Sequence, residues 1–470
     1  MSGRRIDSDS DVVRDHALSP VAGKDDLQKL VAAIPEDVRF VLMGESSHGT
    51  HEWYTTRAEL TKLLVQQRGF HALATEADFP DQFRVNMYAR GLSKDDMTST
   101  DALHNFKRFP QWMWRNDEWD HMVSWINGYN RATGMAGNLD KAGGVGVYGM
   151  DVYSMHASSR IVINFLDEVD PEAGKRARQR YACFDRFGKD AINYAFQFAA
   201  GGASCEQQVL QVLMDVIQKA ACYDQKDDSG VLAAEKKFSA VCNARIVKDA
   251  EEYYRQMFFS SQALTWNIRD THMVDTVKMI EDHLANDYHV AAPKIIIWAH
   301  NSHISDARAS DMGRSRGEVN VGQIMRQEYG NEAYNIGFLT HRGSVAAADE
   351  WDQPVRRKTL RPSMEGSYER LMHDTGLPSL ALDIRNAAPE LNEALKGPKL
   401  QRFVGVIYLP KTERQSHYSR SWLPEQYDMV VHVDKTKALH PLETETSWDK
   451  GEGLEGEEFR EPPETYPFGV

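Results

Sequence analysis

Val38-Arg39-Phe40-Val41-Leu42-Met43-Gly44-Glu45-Ser46-Ser47-His48 decides the fold. A short run of β-branched, aliphatic and aromatic residues stops at a glycine and turns at once into acid, hydroxyl and imidazole. Such a run reads as a strand buried on both faces, the habit of parallel sheets. Four further stretches also end an apolar run with polar chemistry: Thr75-Glu76-Ala77-Asp78, Tyr148-Gly149-Met150-Asp151, Ala299-His300-Asn301-Ser302-His303 and Thr340-His341-Arg342. An open α/β sheet holds its ligand outside the carboxyl ends of its strands, so clusters far apart in sequence are expected to face one crevice. The expected active site is therefore built from Glu45, His48, Glu76 and His300.

Working outward, Asp25 to Ala33 has helical periodicity, Pro35 breaks it, and Val38 to Met43 is the first strand. Glu52 to Gln67 reads as an amphipathic helix ended by Gly69, and His71 to Ala74 as the next strand, which completes a βαβ unit. Asp81 to Tyr129 gathers Trp112, Trp114, Trp119 and Trp125; it reads either as helices bordering a cleft or as ordinary core. Val145 to Tyr148 returns to the sheet. From Met155 to Tyr288 almost every window is helical, with turns expected at Gly201-Gly202 and at Asp224 to Gly230. Further strands are expected at Lys294 to Trp298, Asn335 to Leu339, Leu380 to Ile384, Phe403 to Tyr408 and Met429 to Val433. The expected fold is α/β, a mostly parallel central sheet flanked by helices. One domain over 12–440 would carry a large helical insertion, 155–288, on one side of the cleft, followed by an acidic tail, 443–470, lying on the surface or disordered.

With 470 residues, 41% hydrophobic and 10% aromatic, the chain has material for a large core. A formal charge of -14 opposes a surface that tracks phosphates, so nucleic acid is not an expected partner. The polar amino terminus and the lack of a bilayer-length apolar run point to a cytoplasmic protein without membrane contact. Cys183, Cys205, Cys222 and Cys242 occur singly, without zinc-site spacing, and read as reduced and structural.

Gly44 lets the chain turn sharply, aiming Glu45 and His48 into the crevice, where a carboxylate three residues away can orient the imidazole. A positioned neutral imidazole takes a proton from water and is worth roughly 10²–10⁴ in rate. Alone, His48 reads equally well as a loop residue capping a helix. Glu76, at the equivalent place after the next strand, adds a second carboxylate, although a lone glutamate there is more often an ion-pair member. His300, followed by Asn301 and His303, offers donors for a developing oxyanion. The pairs His48/His51 and His300/His303 with the two glutamates also form a metal-ligand inventory, but neither pair makes an H-E-x-x-H helix, and no metal or other cofactor is assigned. Asp151 either lines the site or caps the helix beginning near Ser154, capping being preferred. Gly451-Glu452-Gly453-Leu454-Glu455-Gly456 fits the dinucleotide pattern literally but follows no strand, and no G-x-S-x-G nucleophile elbow is read, which leaves water as the nucleophile.

Gly44-Glu45-Ser46-Ser47-His48-Gly49-Thr50, Gly69-Phe70 with Glu76-Ala77, Trp266-Asn267-Ile268-Arg269-Asp270 and Trp298-Ala299-His300-Asn301-Ser302-His303 together resemble the erythromycin esterase family. The resemblance extends to Tyr408-Leu409-Pro410 with Glu413 and Ser416-His417-Tyr418, and so spans roughly Val38 to Asp434. It implies an ester hydrolase, in the best-known members one that opens the macrocyclic lactone of macrolide antibiotics, acting on a small-molecule substrate. It implies His48 as general base, Glu45 and Glu76 as its orienting groups, and His300 and Arg57 at the ester carbonyl or oxyanion. Asp151, Arg269, His303 and Trp112 are the expected substrate contacts. A metal-dependent hydrolase and a non-catalytic small-molecule-binding protein are the alternatives.

Overall fold

A computed structural model describes residues 8–443 apart from 22, 188–190 and 222–229, together with Trp448. Its strands are β1 (Phe40–Met43), β2 (Ala72–Asp78), β3 (Gly146–Asp151), β4 (Ile295–Trp298), β5 (Ala333–Ala347), β6 (Arg356–Leu360), β7 (Ser379–Asp383), β8 (Lys399–Arg402), β9 (Tyr418–Ser421) and β10 (Met429–Thr436). Every residue of β1, β2, β3 and β4 is buried, as strands with both faces covered require. Each fully buried aliphatic side chain there contributes about 1.5–3 kcal/mol of hydrophobic stabilisation. The fold is α/β, a mixed and mostly parallel sheet flanked by helices.

The chain divides into two compact units. The first comprises Met1–Phe70, Phe106–Met122 and Ile296–Val470. Here the strand order is β4-β1-β5-β10-β7. β1 and β10 both run parallel to β5, with Phe40 opposite Ala333 and Met429 opposite Ile336, whereas β7 is antiparallel to β10 and β6 antiparallel to β5. β8 and β9 form a separate antiparallel pair. The helix His51–Arg68 follows β1, and Gly69 ends it in the left-handed conformation (φ 65°), a backbone state that suits glycine.

The second unit comprises His71–Asn105 and Val123–Ile295. β2 and β3 pair in parallel, with a register shift between Thr75 and Asp78. Among the described residues six α-helices follow: Met155–Val169, Pro171–Tyr181, Ala191–Ala199, Glu206–Ala221, Gly230–Gln256 and Gln262–Asn286. They share a core that includes Val162, Leu166, Tyr194, Val212, Val216 and Val247. Gly201 (φ 92°) makes the expected break between two of them.

Several expectations are corrected. Phe403 to Tyr408 is not a strand, because its backbone bonds go singly to different loops: Phe403 N–H donates to His417 O, Val404 N–H to Ser46 O and Tyr408 N–H to Ala348 O. Thr340-His341-Arg342 lies within β5, which continues to Ala347 because β6 folds back and supplies a ladder for its second half. Cys183 and Cys205 are joined in a disulfide, their Cα atoms 5.9 Å apart; packing among the helices brings them together across 22 residues of sequence. Cys242 is free and buried. The acidic tail from 444 onward apart from Trp448, the turn at 224–229, Cys222 and the glycine pattern at 451–456 lie outside the described residues.

Candidate active site

In the first unit the loop leaving β1 carries Glu45 and His48. His48 Nδ1 donates to Glu45 Oε1 at 2.9 Å; since a carboxylate only accepts, the proton on this nitrogen is assigned by the partner. The other carboxylate oxygen, Oε2, accepts from Arg57 Nη2 at 2.7 Å. Arg57 comes from the second turn of the following helix and is 1% exposed, its guanidinium carbon 4.6 Å from the Trp298 ring centroid and 4.9 Å from that of Tyr54. Charge pairing and cation–π contact together make up for the lost hydration of this buried cation.

The loop is held from several sides. His48 N–H donates to Val404 O and Val404 N–H to Ser46 O, while Gly49 O accepts from both Ala346 and Leu439. Ser47 and Thr50 share a hydroxyl hydrogen bond, and Trp53 Nε1 donates to Ser47 Oγ. The segment from Phe403 onward is itself anchored by Glu413, which accepts from Tyr408 OH at 2.8 Å and from Arg402 Nη1 at 3.1 Å. His417 Nε2 accepts from Leu409 N–H, as a neutral ring can, and burial pushes its imidazole down to about 4. The polar residues near 408–418 thus brace the histidine loop.

After β4, His300 begins the short helix Asn301–Ile304. Its ring centroid lies 4.8 Å from that of His48. Ser302 Oγ is 2.9 Å from His300 Nδ1, and the Ser302 backbone N–H points at the same nitrogen at 3.3 Å. Asn301 ties the two histidine loops together. Its backbone N–H donates to Glu45 O at 2.8 Å, its Nδ2 donates to Phe338 O, and its Oδ1 accepts from Phe338 N–H. Gly44 permits this: a Cβ there would sit 2.0 Å from Asn301 Oδ1. His303 is fully buried on the same helix.

In the second unit Arg269 donates from Nη2 to Glu76 Oε1 (2.7 Å) and from Nε and Nη2 to the two oxygens of Asp151 (2.9 Å each). Burial works against this guanidinium, but Asp151 outweighs it and holds the group charged. Its carbon lies 5.0 Å from the Tyr153 ring centroid. Glu76 is inside β2 rather than after it, because the strand runs on through its register shift to Asp78. The preferred helix-capping reading of Asp151 is also corrected. Ser154 occupies the cap position of the helix Met155–Val169, while Asp151 Oδ1 accepts from Val152 N–H and Arg269 Nε.

Of the residues expected at the site, Glu45, His48, Arg57 and His300 are brought together in the first unit, and Glu76, Asp151 and Arg269 in the second. Trp112, 3% exposed, lies in the short turn Gln111–Met113. Trp114 and Trp119 pack edge-on with each other, and Trp119 packs edge-on against Trp298, which makes those two core residues. His341 bonds Ser363 Oγ and stacks on His373 at 3.6 Å between centroids. Sequence reading missed Ser302 and the clamp at Asn301; the signal was their place directly after His300. It also passed over Gly313-Arg314-Ser315-Arg316-Gly317, which satisfies G-x-S-x-G literally. No strand precedes it, and Ser315 is an exposed residue of the helix Asp311–Arg316, so it is no nucleophile elbow. Among the described residues no group of three or more His, Cys, Asp or Glu is arranged to hold a metal ion, and no helix is long and apolar enough to cross a membrane.

The family model described as Erythromycin esterase matches residues 65–436, a span that begins after Glu45, His48 and Arg57. YbfO of Bacillus subtilis (strain 168), named as a hydrolase without a stated substrate, is 22% identical over 424 residues, covering 84% of this chain and 83% of its own length. Erythromycin esterase type II of Escherichia coli is 21% identical over 419 residues, covering 85% and 90%. Among solved structures, a succinoglycan biosynthesis protein superimposes with a TM-score of 0.70 at 18% identity, covering 92% of this chain and 97% of that one. An erythromycin esterase mutant in its open conformation gives 0.61 at 16%, covering 90% and 96%.

Proposed function

The chain belongs to the erythromycin esterase family, and on that premise we propose that it hydrolyses a carboxylic ester or macrocyclic lactone, with His48 as the general base toward water. Family membership and the names of its relatives support hydrolase chemistry. The observation that carries the finer reading is the pairing of a carboxylate-held His48 with a second imidazole, His300, 4.8 Å away between ring centroids.

With Nδ1 engaged by Glu45, the Nε2 lone pair of His48 takes a proton from water as the water oxygen bonds to the ester carbonyl carbon. The carbonyl π pair moves onto oxygen, and His300 donates to the oxyanion so formed; one such donor is worth roughly 10²–10³ in rate. Collapse expels the alkoxide, which recovers the proton from His48, leaving acid and alcohol. Glu45 aims the base. Arg57, engaged with Glu45, acts one step behind it, unlike the carbonyl-binding part that the resemblance implied. His303 and Trp112, in the same unit as His48, are the substrate contacts of this proposal.

The purified chain, incubated with a panel of aryl esters, aliphatic esters and macrolactones and followed by mass spectrometry, should yield a product heavier by one water from each lactone it opens. Absence of turnover across the panel, with retained binding of a panel member, would favour a binding protein. Loss of activity on metal removal and its return with metal would favour the metal-dependent hydrolase.

A further inference from the structure

We infer that Ser302 is a positioning residue that fixes the proton of His300 on Nε2, so that the two neighbouring histidines carry opposite tautomers. Two contacts at one atom carry this. The Ser302 backbone N–H, which can only donate, points at His300 Nδ1 from 3.3 Å, so this nitrogen presents its lone pair. The Ser302 hydroxyl, 2.9 Å from the same nitrogen, then donates as well. A neutral imidazole has one N–H, and it falls to Nε2. At His48 the partner is a carboxylate, which only accepts, so the proton there is on Nδ1 and the lone pair on Nε2.

The same kind of side chain is thereby made a base in one loop and a donor in the next. The difference lies in the chemistry of the Nδ1 partner. A proton on His300 Nδ1 would face the Ser302 amide hydrogen. Ser302 is 2% exposed, and water does not readily replace its hydroxyl. The tautomer assignment stands on these contacts alone; its effect on turnover rests on the ester-hydrolase reading above.

The test uses the full chain with histidine ring nitrogens labelled by ¹⁵N, read by long-range ¹H–¹⁵N correlation, with His48→Asn and His300→Asn assigning the two signals. The parent should show His300 bare at Nδ1 and protonated at Nε2, and His48 the reverse. Ser302→Ala removes the hydroxyl but keeps the backbone N–H, so His300 should stay mainly protonated on Nε2 with a larger minority of the other tautomer, and kcat should fall about twofold to threefold with KM within about twofold, the pattern of a weakened transition-state donor. Ser302→Thr, which keeps the hydroxyl, should restore both. A proton on His300 Nδ1 in the parent overturns the inference, and this reading needs no variant to fold. Ser302→Ala with tautomer balance and turnover both unchanged overturns the part given to the hydroxyl. Opposite tautomers in a parent that turns over no ester would uphold the role of Ser302 while ending the proposed reaction.

Discussion

His48 and His283 are both buried histidines bonded to glutamates, and they differ in how many carboxylates they face. His48 has one carboxylate partner, on Nδ1. His283, in the second unit, has two: Asp287 Oδ2 lies 2.7 Å from Nδ1 and Glu235 Oε1 lies 3.1 Å from Nε2. Two acceptor-only partners demand a proton on each ring nitrogen, so His283 is an imidazolium with no lone pair to offer. Burial opposes that charge, but Glu235 and the Asp287 hydrogen bond outweigh it and raise the group above the ordinary histidine value. Glu235 in turn accepts from Asn86, Tyr148 and Tyr288 and pairs with Arg90, which is fully buried. Burial pushes this carboxyl up, yet Arg90 and His283 hold it at about 2. A carboxylate on one side of an imidazole prepares a base; one on each side makes a structural cation.

The contrast can be broken most sharply at Arg90. Arg90→Leu takes from the buried Glu235 carboxylate the larger of its two counter-charges, leaving only His283, and should destabilise the protein by about 3–5 kcal/mol, read by denaturant unfolding. A loss under about 1 kcal/mol would mean that the network is not an ion pair in solution. Next comes His48→Asn, which should lower kcat on the order of 10²-fold or more with little change in KM and no loss of fold, since a loop histidine packs little core. Near-parental turnover by the folded variant would move the base to another residue. Glu45→Gln keeps the shape of the pair but not its charge, and should cost about tenfold in kcat. If it costs nothing, Glu45 merely packs.

Smaller is the contribution of His283. Its folded-state value is raised, so its stabilisation is complete below the unfolded histidine value and is lost as pH rises through the folded value. Thermal midpoints of the parent should decline as pH rises above the ordinary histidine value, and His283→Gln should lower the midpoint at pH below that decline while flattening it. An identical slope in both proteins would show His283 to be neutral. The smallest expected effect is that of exhaustive chelation, which should leave ester turnover unchanged, since the proposed proton transfers run through imidazole and carboxylate.

The parts of this molecule legible in its sequence are those in which neighbouring residues suffice. β1 and β4 show as apolar runs, the helix His51–Arg68 shows by its terminating Gly69, and His48 and His300 show because polar chemistry follows each run at once. β6 has the sequence Arg-Arg-Lys-Thr-Leu and exists because β5 offers it an edge, so no local pattern announces it. Glu76 was placed after its strand because a register shift that extends β2 leaves no mark in composition. The Cys183–Cys205 pair depends on helix packing, and the antiparallel direction of β7 on its partner. Asn301 and Ser302 were in plain view, but an amide clamp and a tautomer-setting hydroxyl are defined by what they touch.

The contact of Gly44 with Asn301 bears on how this scaffold is to be re-engineered. A side chain at 44 would drive directly into the amide that clamps the second histidine loop, so the two histidine loops cannot be shifted independently from there. A combinatorial library seeking new esters would be wasted at 44 and 301, where diversity detunes the reaction for every substrate alike.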